Sequence, residues 1–135
     1  MNALPEDSLD VLYVGDDPDL AEIYRMKLEL DGYLVRSVTR EDEWPPGSWQ
    51  PDIAYFDVQE GKGIGVRGHH RLRQSPDGPA IPAIVLSRLP VDQLAEQGMR
   101  LGPLDYLVIV STTLASMRTV DVRSGRVEDA VPHLR

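Results

Sequence analysis

Four short runs along the chain are almost wholly apolar: Val11 to Val14, Ile53 to Phe56, Ile81 to Leu86 and Tyr106 to Val110. Strands with one wet face alternate apolar and polar residues. Unbroken apolar runs of this length therefore predict strands buried on both faces, the mark of a parallel sheet. Leu34 to Val38 is a fifth, more mixed candidate. Upstream of it, Leu20, Ile23, Tyr24, Lys27, Leu28 and Leu30 recur at helical spacing. An Asp-Pro start at Asp17-Pro18 and Asp31-Gly32 at the end bound that helix. Further helices are predicted over Gly65 to Gln74 and over Val91 to Leu101, the latter turning Val91, Leu94, Ala95 and Met99 inward. The stretch from Thr39 to Pro51 holds Pro45, Pro46, Gly47 and both tryptophans, which predicts a trimmed helix or a loop. Ser111 would cap a short helix over Thr112 to Arg118. Thr119 to Val122 and Arg126 to Asp129, flanking Arg123-Ser124-Gly125, also read as a hairpin. Helix and hairpin both stay open for this C-terminal element.

Strands that alternate with helices, joined by right-handed crossovers, imply an α/β fold. The expected form is a doubly wound, five-stranded parallel sheet with a shortened second helix. The 135 residues fit one domain. The expected organisation is a flexible lead-in over 1–9, the domain over 10–118, and an uncertain helix or hairpin and tail over 119–135. The apolar runs fall well short of the roughly 20 residues a membrane helix needs, and the first ten residues lack the basic-then-apolar pattern of a secretion signal. The chain has no cysteine, which removes disulfides, thiolate metal sites and thiol catalysis and agrees with a cytoplasmic location. Its net charge of -8 argues against nucleic-acid binding, because such a surface must supply cations.

The candidate chemistry lies in two carboxylate groups. Asp57 ends the run Ile53-Ala54-Tyr55-Phe56, and Asp16-Asp17 follow the run Val11 to Val14. Ligands of doubly wound folds sit at the carboxyl ends of the strands, so acids there can form a divalent-metal and phosphoryl site. Plainer readings stand beside this one. Asp17 and Asp19 suit the positive end of the first helix. Ser87 alone is a strand-end hydroxyl, and Tyr106 alone is half-buried packing. The neighbours His69 and His70 diverge on a helix, which predicts a solvated face. Gly61-Lys62-Gly63-Ile64-Gly65 lacks the spacing of a phosphate loop and reads as a flexible loop.

Four segments, taken in order and spacing, resemble the receiver domain of bacterial response regulators over about residues 10 to 118. They are Val11-Leu12-Tyr13-Val14-Gly15-Asp16-Asp17 with Asp31-Gly32-Tyr33, Pro51-Asp52-Ile53-Ala54-Tyr55-Phe56-Asp57, Ile81-Pro82-Ala83-Ile84-Val85-Leu86-Ser87, and Gly102-Pro103-Leu104-Asp105-Tyr106-Leu107-Val108. The resemblance implies a flavodoxin-like fold in which a partner histidine kinase phosphorylates Asp57 in the presence of Mg²⁺. It implies Asp16, Asp57 and the backbone carbonyl of Gln59 as metal ligands. Ser87 would contact the phosphoryl group, and Tyr106 would be the aromatic that moves with it. Such chemistry needs a carboxylate nucleophile, a cation and donors to the phosphoryl oxygens.

Several residues depart from the family pattern. Gly15 stands where the first of two acids would be, and Ile109 stands where a lysine would be. Glu60-Gly61 replaces an apolar-proline pair, and Arg88 replaces a small residue. Arg88 is the possible substitute cation for Asp57. Three carboxylates and a lysine sum to -2, and Asp16 with Asp57 also sum to -2, so the charge for weakened Mg²⁺ binding remains. A lost donor to a phosphoryl group commonly costs about 3 kcal/mol. The expectation is an atypical, non-enzymatic receiver module that signals by protein contact and homodimerises through the 91–118 face, with aspartyl phosphorylation weak or absent. One alternative is a phosphorylation-competent single-domain regulator using Asp57 and Mg²⁺. Another is a flavodoxin-like cofactor protein, against which the acidic Asp16-Asp17-Pro18-Asp19 loop speaks.

Overall fold

The computed structural model describes residues 8–47 and 49–110 and the strands Arg118–Val120 and Val127–Asp129. Most of the lead-in, the Ser111 to Met117 stretch and the Arg123-Ser124-Gly125 turn lie outside the described residues. The elements run β1 (Asp10–Val14), α1 (Pro18–Leu30), β2 (Leu34–Val38), β3 (Ile53–Gln59), α2 (Ile64–Gln74), β4 (Ala83–Ser87), α3 (Val91–Glu96), β5 (Asp105–Ile109), β6 (Arg118–Val120) and β7 (Val127–Asp129). Strand order in the sheet is β2-β1-β3-β4-β5-β6-β7. The first five strands pair parallel, and β6 and β7 extend the β5 edge in antiparallel fashion. The five-stranded parallel sheet expected from the apolar runs is present, and the C-terminal strands pair as in the hairpin alternative.

Both faces of the sheet are covered, which explains why its strands do not alternate. Leu12, Val14, Phe56, Val58, Val85 and Leu107 face α2 and α3, while Val11, Tyr13, Tyr55, Leu86 and Val108 face α1. The sheet therefore carries one apolar layer per side, and residue parity along each strand assigns the side. α1 starts where expected. The Asp17 side chain accepts from the backbone N–H groups of Asp19 and Leu20 at 2.9 and 3.3 Å, with Pro18 in the first turn.

Two elements differ from the sequence reading. The helix expected over Val91 to Leu101 stops at Glu96, because Gly98 turns the chain at φ +93. Leu94 and Met99 are buried as expected, whereas Val91 is exposed. Between β2 and β3 only a 3-10 turn over Glu41–Glu43 remains of a crossover helix. Trp44 and Trp49 pack against the α2-side core in its place. The guanidinium of Arg71 lies 4.8 Å over Trp44, and that of Arg36 lies 4.9 Å over Trp49.

His69 is a clear correction. It is buried, meets Phe56 edge to face at 5.5 Å, and places Nε2 3.1 Å from Asp105 Oδ1. Arg73 donates to the same oxygen at 2.5 Å and to the carbonyls of Gly78 and Ile81 at 2.7 and 2.5 Å. This knot ties α2 to the start of β5, at the end of the sheet away from Asp57. Of this pair, His70 is the exposed one.

Candidate functional site

Asp57 lies at the carboxyl end of β3 and is 4% exposed. Parity puts it on the α1 side with Ile53 and Tyr55, and β1 pairs so that Tyr13 lies beside Tyr55. Tyr13 consequently reaches up to the site, and its hydroxyl donates to Asp57 Oδ2 at 3.1 Å. The other oxygen, Oδ1, accepts from Gln59 Nε2. The β3 and β4 register shifts between Asp57 and Gln59, and Gln59 sits in the left-handed region at φ +48. That conformation is uncommon for a residue with a side chain and marks local strain. It brings the Gln59 amide back over the carboxylate.

Burial pushes the Asp57 carboxyl above its usual range. The bonds from Gln59 and Tyr13 oppose the rise, and the charges of Asp17 and Asp16 add to it. Among the described residues Asp57 has no ion pair. Burial, and then the facing Asp57, push the Tyr13 phenol up, so it keeps its proton and remains a donor.

The expected substitute cation is placed elsewhere. Arg88 donates from Nε to Gln59 Oε1 at 3.1 Å and lies 4.0 Å from Glu60 Oε2. The Gln59 amide thus stands between the guanidinium and Asp57. Ile109, at the family's lysine position, packs against the α2-side core. The buried Ser87 hydroxyl accepts from Leu89 N at 2.8 Å and has the carbonyls of Leu89 and Gln59 at 2.9 and 3.3 Å as acceptors. Tyr106 is half-buried in β5, in register with Ile84.

The expected metal ligands are likewise engaged. Backbone N–H of Ile64 donates to the two Asp16 carboxylate oxygens at 3.2 and 3.3 Å. Asp16 thus serves the N-terminus of α2, where unsatisfied N–H groups favour an anion. Gly63 makes this possible: it has φ +95, and a Cβ there would lie 2.0 Å from Asp16 Oδ2. The glycine-rich segment is therefore a tightly packed turn. The Gln59 carbonyl accepts from Arg88 N at 2.7 Å. Among the described residues no three His, Cys, Asp or Glu side chains group as metal ligands. A Mg²⁺ ion demands several oxygens in near-octahedral geometry; Asp16, Asp57 and the Gln59 carbonyl would offer it their remaining lone pairs, since each already accepts from a protein donor.

Two participants escaped the sequence reading, the Tyr13 hydroxyl and the Gln59 side chain. Gly15 is the signal that points to the first. A glycine beside the acceptor position leaves a volume that a neighbour can fill.

No family model matches the chain. It is 29% identical over 128 residues to the DNA-binding dual master transcriptional regulator RpaA of Synechocystis, covering 91% of this chain and 53% of that protein. The chain thus spans about half the length of this curated relative. Among solved structures it is similar to the Vibrio cholerae chemotaxis protein CheY4, with TM-score 0.63, 17% identity, and coverage of 78% of this chain and 89% of that one. It is also similar to the response regulator TrrA of Thermotoga maritima in complex with Mg²⁺-BeF, with TM-score 0.58, 17% identity, and coverage of 78% and 90%. At that identity the likeness to solved structures is one of fold.

Proposed function

We propose that this chain, a receiver domain of the response-regulator type, is an atypical signalling module that works by protein contact, with phosphorylation of Asp57 weak or absent and no enzymatic turnover of its own. The observation that carries this reading is the missing cation. Ile109 is apolar and built into the core, and the guanidinium of Arg88 ends on Gln59 and Glu60. A phosphoryl group arriving at Asp57 would therefore meet neither of these two positions as a positive donor while its charge develops. Loss of one such contact commonly costs two to three decades in rate.

Support for protein contact comes from the surface. Ile23, Met26 and Leu30 line the outer side of α1, with Leu30 86% exposed, and would offer an apolar row to a partner such as a histidine kinase or downstream protein. Val91 opens α3 on the 91–118 face and is 43% exposed, which suits a homodimer there. The described helices include none long and apolar enough to cross a membrane. Together with the net charge of -8, this supports a cytoplasmic module that does not itself bind nucleic acid.

The test is incubation with Mg²⁺ and acetyl phosphate, read by intact mass. The expected result is little or no gain over an hour. A gain of one phosphoryl group that disappears in Asp57→Asn would establish the competent single-domain regulator instead.

A further inference from the structure

The distances around Gly15 explain how the acceptor site is closed. A Cβ built at Gly15 would lie 2.9 Å from Asp57 Cβ, 3.4 Å from Tyr13 Cε1 and 3.5 Å from the Tyr13 hydroxyl. A Cβ at position 15 would thus crowd the Asp57 side chain and stand in ordinary contact with the Tyr13 ring and hydroxyl, so the glycine borders the place where phenol and carboxylate meet. Tyr13 is fully buried, and its ring stacks on Tyr24 at 5.2 Å and 24°. Stacking and the parallel register aim the hydroxyl at Asp57 Oδ2. The Tyr13 hydroxyl takes one acceptor position of Asp57 Oδ2 and the space beside it, so a cation or phosphoryl group that needs that position has to displace the phenol.

We infer that the Tyr13 hydroxyl, seated beside Gly15, is the lock that keeps divalent cations and phosphoryl groups off Asp57. This rests on the reading of Asp57 as a retained but inactive acceptor position. It assigns Tyr13 a positioning role, acting through the carboxylate. Gln59 holds the other oxygen, but it is only half-buried, whereas Tyr13 is fully buried against Tyr24.

The test uses the full chain and titrates Mg²⁺ in the presence of beryllofluoride, with fluorine NMR for the bound ligand and tryptophan fluorescence as a second readout. Tyr13→Phe is expected to reach half-saturation at Mg²⁺ concentrations at least about tenfold below wild type. The bound signal should vanish in Tyr13→Phe/Asp57→Asn. Tyr55→Phe, which alters the neighbouring tyrosine instead, should behave as wild type. Circular dichroism verifies folding, and Tyr13→Leu carries the same expectation should the phenylalanine variant not fold. If wild type and the hydroxyl-free variants are equally silent, the lock is refuted while the inactive-acceptor reading stands. If wild type already binds as well as Tyr13→Phe, both fall.

Discussion

Asp57 shows how its surroundings set the chemistry of a carboxyl at a strand end. Its carboxyl is buried, and among the described residues no cation pairs with it, so folding raises its pKa above the ordinary carboxylate value. A carboxyl whose folded-state pKa is raised carries no penalty below its ordinary value. The penalty enters as pH climbs through the raised value, and it is complete above that. Asp57→Asn removes the charge and keeps an acceptor for Tyr13, while its new N–H group meets Gln59 only if that amide turns its oxygen inward. It should therefore melt higher than wild type at neutral pH, each kcal/mol relieved being worth about 3–5 °C in a domain of this size. The gap should close toward pH 4, and thermal scans across that range check it. A wild-type midpoint at or above that of the variant at neutral pH would contradict the account.

At the scale of elements, the join between α2 and β5 rests on Asp105. Burial alone would raise its carboxyl. The contact from His69 and the bonds from Gly102 N and Arg73 outweigh burial and hold it below the usual range. Arg73→Ala would leave a carboxylate that is 1% exposed in its side chain without its guanidinium donor. Breaking a buried pair in this way costs about 3 kcal/mol or more, to be read from urea unfolding at neutral pH. Because the carboxyl of Asp105 is lowered, its contribution is present above the ordinary carboxylate range and is lost as pH falls through the depressed value. The difference between wild type and Arg73→Ala should shrink on acidification. α2 also depends on Asp16 at its other end, so this one helix draws on carboxylates at both ends of the sheet.

For the whole molecule, the two sheet faces do different work. The α1 side holds Tyr13, Tyr24, Tyr55 and Asp57, whereas the α2 side is aliphatic and has Trp44 and Trp49 where a crossover helix would lie. The surfaces proposed for contact lie apart, on α1 and on the 91–118 face. Sedimentation of wild type at tens of micromolar should show a dimer that Val91→Glu moves toward monomer and Leu30→Glu leaves intact. Both substitutions are at exposed positions and should change stability by no more than about 0.5 kcal/mol. Dissociation by Leu30→Glu alone would move the homodimer contact to α1.

Patterns local in sequence determined the elements. Apolar runs without alternation announced a sheet buried on both faces, and Asp17-Pro18 with Asp31-Gly32 bounded α1. Prolines 45 and 46 forecast the missing helix, and Asp57 followed from its place at a strand end. These features depend on neighbours a few residues apart, which a linear pattern records. The state of the site was decided only by tertiary structure, because it depends on register, parity and close approach between distant segments. Parallel pairing carries Tyr13 to Asp57 across 44 residues. The left-handed turn at Gln59 interposes an amide before Arg88. The packing of Gly63 commits Asp16 to α2, and the fall of His69 toward Asp105 buries a side chain that helical spacing had assigned to solvent. In each case the residues were visible in the sequence, but which groups they would meet depended on distances that only the folded chain sets.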